Sequence, residues 1–268
     1  MKDEVARHYD EQAEVDRLSE GAGAIELART QEIVLRHLPP APATVLDVGG
    51  GPGRYARWLT ARGYRVVLVD PVAKHVRQAL EVSPDGPPPA EAHVGDARAL
   101  AQPDACADAV LMLGPLYHLT ERADRVRALA EARRVVKPGG PVIAAAISRF
   151  ASTLDGLASL HLDDPAFAAI AREDLATGQH RNPTDHPHWF TTAYFHRPEE
   201  LALEVADAGL AHVETLPVEG PAWLLGNLAA HAESAERRDR LLAALRALER
   251  EPSLLGASAH LLAIGRRA

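Results

Sequence analysis

Three acids and a run of glycines stand where a chain would handle a nucleoside. Asp47, Gly49, Gly50, Gly51, Pro52 and Gly53 lie together, Asp70 follows Gly49 by 21 residues, and Asp96 comes later. Glycines let backbone approach a ligand closely and leave N–H groups free for it. An acid at the spacing of Asp70 is placed to accept hydrogen bonds from a ribose diol. Asp96, at the tip of the next strand, is placed to accept from an adenine amino group. Together they form an adenosine-binding set. The plainer alternative is that the aspartates cap helices and the glycines only turn the chain. A nicotinamide dinucleotide site is the main rival, but its fingerprint is G-x-G-x-x-G. Here the glycines alternate as D-x-G-x-G-x-G, with Arg54 in the remaining slot, and the match is poor.

In an open parallel sheet such residues must sit just past the strands' carboxyl ends. The β-branched run TVLDV (44–48) precedes the glycines, and a helical pattern, RYARWLTARG, follows them. RVVLVD (65–70), a helix from about 72 to 81, and AHVGD (92–96) repeat the alternation. ADAVLML (107–113), an amphipathic helix over about 121–136, the turn KPGG and PVIAAAIS (141–148) continue it. After position 196 come a helix over 198–209 with Gly209 as its stop, a strand HVETLPV, a helix over about 228–249, and a last strand in SAHLLAIGRR. The pattern predicts one α/β domain over 1–268: a doubly wound, Rossmann-like sheet of seven mostly parallel strands with helices on both faces. Within it, 1–38 is a helical N-terminal cover, 40–148 the ligand-binding core, 149–196 an insertion, and 197–268 the completion of the sheet.

A net charge of −8 and a pI near 5.9 give no basic field for a polyphosphate backbone, so nucleic acid is not an expected partner. A small-molecule partner is. Only Lys2, Lys74 and Lys137 could form a Schiff base, and the single Cys106 excludes an intramolecular disulfide framework. The charged stretch MKDEVARHYDEQAEVDRL lacks an apolar core, and no apolar run reaches the length of a membrane span. A cytoplasmic protein without membrane contact is expected. Oligomeric state is not readable.

LDVGGGPGRY, LVD, GDA, DAVLMLGPLYHL and VVKPGG occur in that order at compatible spacings. In this the sequence resembles the class I S-adenosylmethionine-dependent methyltransferases, firmly over about 40–148 and loosely from Arg197 onward. The resemblance implies S-adenosylmethionine as cofactor. It puts Gly49, Gly51 and Gly53 beside the methionine portion, Asp47 on its amino end, Asp70 on the ribose, and Asp96 with the Ala97 backbone on adenine. The backbone around Leu113 and Gly114 would complete the pocket. An N-terminal tyrosine and arginine often cover the cofactor in similar proteins, and Tyr9, Arg17 and Arg29 are the candidates.

The donor methyl is already activated in such enzymes, so the protein supplies alignment, dryness and sometimes a base. Tyr117 and His118, past the fourth strand, are placed for catalysis; a structural histidine is the alternative there. GPLY departs from the Asn/Asp-Pro-Pro-aromatic tetrapeptide of enzymes that methylate nucleic-acid bases. The segment DHPHWFTTAYFHRP (185–198) closes the insertion. A metal site through Asp185, His186, His188 or His196, plain packing, and a substrate-contacting lid are its three readings. No ligand set at firm metal spacing completes the first, and no metal is expected. The lid reading makes Trp189, Phe190, Tyr194 and Phe195 a substrate surface and His188 a second base. Trp223 is a further wall or a core residue, and Glu173 an acid for an alkene acceptor. The expected reaction is methyl transfer to O, N or C of a small, apolar or aromatic acceptor. A non-catalytic S-adenosylmethionine-binding regulator and a nicotinamide-dependent reductase are the alternatives.

Overall fold

A computed structural model of the chain describes residues 21–184, 186 and 189–268. Tyr9, Arg17, Asp185 and His188 therefore lie outside the described residues. Nine strands occur among the described residues: β1 Thr44–Val48, β2 Arg65–Asp70, β3 Glu91–Val94, β4 Ala109–Met112, β5 Pro141–Ser148, β6 Gln179–His180, β7 Ala193–His196, β8 Ala211–Pro217 and β9 His260–Arg266. The order β3-β2-β1-β4-β5 is parallel throughout. β9 runs antiparallel beside β5, and β8 antiparallel beside β9. These are the seven predicted strands, in a doubly wound arrangement.

β1, β2, β4 and β5 are buried along nearly their whole length. Their side chains alternate between the two faces. On one face Leu46, Val48, Val110, Met112 and Val142 meet Leu129, Val135, Leu201 and Val205. On the other, Val45, Leu68, Leu111 and Ile143 meet Ile33, Val34, Leu59 and Val76. Each such residue contributes about 1.5–3 kcal/mol on burial. This double layer fixes the sheet, and with it the positions of the strand tips.

Helices Gly21–His37, Arg54–Thr60, Ala73–Leu80 and Arg122–Val135 fall where the periodicity puts them. The helix predicted over 228–249 is instead two, Leu228–Ala232 and Ala235–Leu248. Ser234 lies between them in extended conformation and its side chain accepts the Arg237 N–H, an N-cap that restarts the helix. The insertion contributes helices Ala151–Ala158 and Pro165–Thr177, then the antiparallel ribbon β6–β7. Gly178, at φ +77°, turns the chain into that ribbon, and β7 pairs in parallel with the last two residues of β5. Among the described residues no helix is long and apolar enough to cross a membrane.

Candidate active site

β1 carries Asp47 to the carboxyl edge and the glycine turn begins two residues later. The Gly49 N–H donates to Val69 O at 2.7 Å, tying the turn to β2. Gly49 has φ +71°, and a Cβ built on it would lie 2.6 Å from Pro115 Cγ, so the turn and the segment after β4 touch. A Cβ on Gly50 would lie 2.6 Å from Asp47 Oδ2. Asp47 is 1% exposed, and neither of its carboxylate oxygens has a hydrogen-bond partner. Burial, and secondarily the charge of Asp70, raise its pKa to about 7.

Asp70 closes β2. Its Oδ2 accepts the Gly51 N–H at 2.9 Å, its Oδ1 accepts the Val72 N–H at 2.9 Å, and His75 Nδ1 lies 3.2 Å from Oδ1. Asp96 lies two residues past β3 and is held by Arg98, whose Nη2 donates to Oδ2 at 2.6 Å and whose backbone N–H donates to Oδ1 at 2.8 Å. That guanidinium holds the Asp96 carboxyl down at about 2. Past β4, Leu113 and Gly114 lead into the helical turn Pro115–His118, where the Tyr117 hydroxyl donates to Leu113 O at 3.3 Å. The ring centroids of Tyr117 and His118 are 4.7 Å apart, and Phe190 of the insertion stands 6.2 and 5.9 Å from them.

These strand tips enclose a cavity of ≈ 380 Å³ lined by Asp47, Gly49, Gly50, Gly51, Asp70, Asp96, Ala97, Leu113, Gly114, Tyr117 and His118, among others. Its chemistry suits an adenosyl group bearing a cationic amino acid. A buried carboxylate with unmet oxygens calls for a cationic donor, and an ammonium supplies one. Among the described residues no atom lies within 4 Å of a Cβ built on Gly51, which leaves space on the turn. Tyr117 and His118 line the same cavity.

Known proteins agree with this geometry in two steps. A solved S-adenosylmethionine-dependent methyltransferase from Methanosarcina mazei superposes with a TM-score of 0.59 at 16% identity, covering 88% of this chain and 96% of that one, which shows the fold. Residues 45–140 match the family model described as a methyltransferase domain. An uncharacterized methyltransferase of Mycobacterium tuberculosis is 37% identical over 103 residues, 38% of this chain and 39% of that protein. A ubiquinone/menaquinone biosynthesis C-methyltransferase of Acidiphilium cryptum is 35% identical over 127 residues, 44% of this chain and 48% of that protein. The chain thus spans less than half the length of these curated relatives. Residues 45–140 are thus similar to a methyltransferase domain, set in the fold of a solved S-adenosylmethionine-dependent methyltransferase.

The structure brings together Asp47, Gly49, Gly51, Asp70, Asp96, Ala97, Leu113, Tyr117 and His118. Gly53 sits behind the turn, where a Cβ would lie 3.0 Å from Ala79 Cβ; its smallness serves helix packing and not the cavity. Gly50, Pro115, His75 and Arg98 also line or brace the site and were not singled out. Gly50 was visible as the middle of the glycine run, whereas Arg98 gave no local signal.

Several predicted contacts are corrected. Arg29 does not line the cavity: it is fully buried, with Nη2 2.5 Å from Glu249, Nη1 2.9 Å from Glu32 and Nε donating to Val218 O. Arg36 forks onto the same Glu249 carboxylate at 2.6 and 2.8 Å. Burial raises the Glu249 pKa, but the bonds from Arg36 and Arg29 overcome it and hold the group at about 2. Removing Arg29 takes one of two guanidiniums from Glu249 and the donor from the Val218 carbonyl, while Arg36 stays on Glu249 and Arg246 on Glu32. Arg29→Met is expected to cost about 1–3 kcal/mol in urea unfolding while leaving S-adenosylhomocysteine affinity of the folded protein unchanged.

Trp189 is buried against Phe167, with ring centroids 5.2 Å apart, and stacks on His186; it is core of the insertion, not a cavity wall. Tyr194 lies under the Arg125 guanidinium at 3.6 Å, and its hydroxyl donates to Glu200 at 3.2 Å. Trp223 donates its Nε1–H to Ala257 O at 2.8 Å and is not among the residues that line the cavity. Phe195 stacks on His180. Of the predicted lid surface, Phe190 stands against the cavity-lining Tyr117 and His118, and Phe195 shares an apolar cluster with Tyr117. Glu173 is on the helix Pro165–Thr177, where its carboxylate accepts the Thr177 hydroxyl.

The histidines of 185–198 that are described form no metal group. His196 Nε2 faces Glu204 Oε2 at 3.1 Å, and burial lowers its pKa. One grouping elsewhere, Glu26, Glu219 and His260, brings ligand atoms within 4.8 Å of one another. His260 Nδ1 and Glu219 Oε1 are 2.6 Å apart there, and Glu219 Oε2 accepts Ser258 Oγ–H and the His260 N–H. An ion pair within the fold accounts for it.

Proposed function

We propose that the protein transfers the methyl group of S-adenosylmethionine to a small acceptor with an aromatic or apolar ring. The observation that carries this reading is one cavity lined both by the buried Asp47 carboxylate with its unmet oxygens and by Tyr117 and His118, with Phe190 behind the two rings. Asp47 would hold the ammonium, Asp70 the ribose hydroxyls, and Asp96 with the Ala97 backbone the adenine. Bound there, S-adenosylmethionine supplies a methyl on a sulfonium, ready for in-line displacement. The chain's own work is to exclude water, align the acceptor and receive its proton.

His118 is the group for that proton. It lines the cavity beside Tyr117, and Phe190 backs both rings, so a planar acceptor in the cavity would rest against an aromatic wall. His118→Ala is expected to lower kcat by about 10²-fold or more with no change in cofactor Kd. Unchanged turnover would remove it from the mechanism.

The acceptor is identified by supplying methyl-labelled S-adenosylmethionine with fractionated metabolites and reading which product gains the label. A second reading takes its acceptor class from the printed name of the Acidiphilium cryptum relative: the ubiquinone/menaquinone group, methylated at carbon. The three rings favour it, and quinone-type and simple phenolic acceptors assayed side by side separate the two. A purely cofactor-binding regulator is excluded by turnover with any acceptor.

A further inference from the structure

We propose that Arg125 is a positioning residue that couples the cavity segment carrying His118 to the insertion, so that the two respond to the cofactor as one unit. This rests on the reading of the cavity as an S-adenosylmethionine site. Arg125 lies in the first turn of the helix Arg122–Val135 and is 1% exposed. Its Nη1 donates to Leu119 O and Thr120 O, both at 2.9 Å, the two carbonyls that follow His118. Its Nε and Nη2 fork onto Glu204 at 2.9 and 2.7 Å. The guanidinium face covers the Tyr194 ring of β7.

The same Glu204 carboxylate takes the imidazole of His196, the last residue of β7. From the β6 side, Gln179 Nε2 donates to Thr120 O at 3.0 Å. The Thr120 carbonyl is therefore gripped from two sides, by a planar cation that also holds Tyr194 of the insertion and Glu204 of the helix after it, and by Gln179 of the insertion itself. Tyr194 and His196 act through Arg125, not on a ligand.

A lysine cannot reproduce five fixed donors in one plane. It can pair with Glu204 or reach the carbonyls, but not both. The fork, and not the charge, is what the coupling requires. Removing Arg125 alone would strand Glu204, so the double variant Arg125→Met/Glu204→Met, which takes out both buried charges, guards against loss of the fold.

The test is amide hydrogen exchange of the full chain with and without S-adenosylhomocysteine, read at 45–56, 113–121, 178–184 and 189–196. In the wild type, the ligand is expected to protect all four segments. In Arg125→Lys, and in the double variant, protection at 45–56 should persist while ligand-dependent protection at 178–184 and 189–196 is lost. A residue that merely stabilised the fold would raise exchange there equally with and without ligand, leaving the ligand-dependent change intact; that result overturns the proposal. Wild-type protection at 45–56 with none at 178–196 also overturns it, and leaves the cofactor reading standing. Absence of protection at 45–56 in the wild type defeats the cofactor reading, and this inference with it.

Discussion

Asp47→Asn is expected to stabilise the ligand-free protein above pH 7 by on the order of 4 kcal/mol and to weaken cofactor binding in the same molecule. The two effects have one cause. In the fold this carboxyl titrates at about 7, well above the ordinary 3.8 of an aspartate, because it is buried first of all and because Asp70 is close. The folded state therefore holds a proton that the unfolded chain releases. Its contribution costs nothing below about pH 4, grows as pH rises through the interval to 7, and is complete above it. An amide in its place carries no charge to desolvate, so the slope disappears. Thermal unfolding of wild type and variant at pH 4, 6 and 8 measures this directly. A variant less stable than wild type at pH 8 would show that the carboxylate is satisfied in the free protein.

Binding should mirror that behaviour. An ammonium beside Asp47 favours the ionised carboxyl, so wild-type affinity should fall by up to about tenfold per unit as pH drops below 7. The asparagine variant should lose that dependence. It should also lose about 10- to 100-fold in affinity at pH 8, the worth of a charge-assisted hydrogen bond.

Gly49→Ala is the second large effect. A methyl there meets Pro115 Cγ at 2.6 Å and Cδ at 2.7 Å, and the backbone is at φ +71°. The proline ring cannot swing aside, so the turn or the segment Pro115–His118 must move. Left-handed strain of about 1–2 kcal/mol adds to overpacking of about 1–3 kcal/mol. Because Tyr117 and His118 travel with Pro115, cofactor affinity and turnover should fall together. Gly51→Ala is the contrast: φ is +55° but no described residue stands within 4 Å. It should cost only the strain, about 1–2 kcal/mol, while its methyl takes up space in the cavity. Equal stability losses in the two variants would refute the close approach at Gly49.

The strand core was readable because each strand is a short β-branched run beside a turn residue, and burial on both faces removes the polar alternation that would confuse it. Asp47, Asp70 and Asp96 were readable for the same reason: a strand's end fixes where its next residues lie. The aromatic cluster was not. Trp189 and Tyr194 differ from Phe190 only in which neighbour they meet, and those neighbours, Phe167 and Arg125, are far away in sequence. Arg29 failed likewise, since its partner Glu249 lies 220 residues on. The break at Ser234 was legible as an N-cap but hidden inside a run of good helix formers. The ribbon β6–β7 has one strand of two residues, too short for any periodicity.

Isothermal titration of the purified chain with S-adenosylhomocysteine, set beside NADH, is the most direct trial. One molecule bound per chain, with affinity lost on Asp70→Asn and no heat from NADH, is the expected result. A folded protein that takes up NADH, or neither compound, would mean that the strand tips hold something other than an adenosyl sulfonium donor.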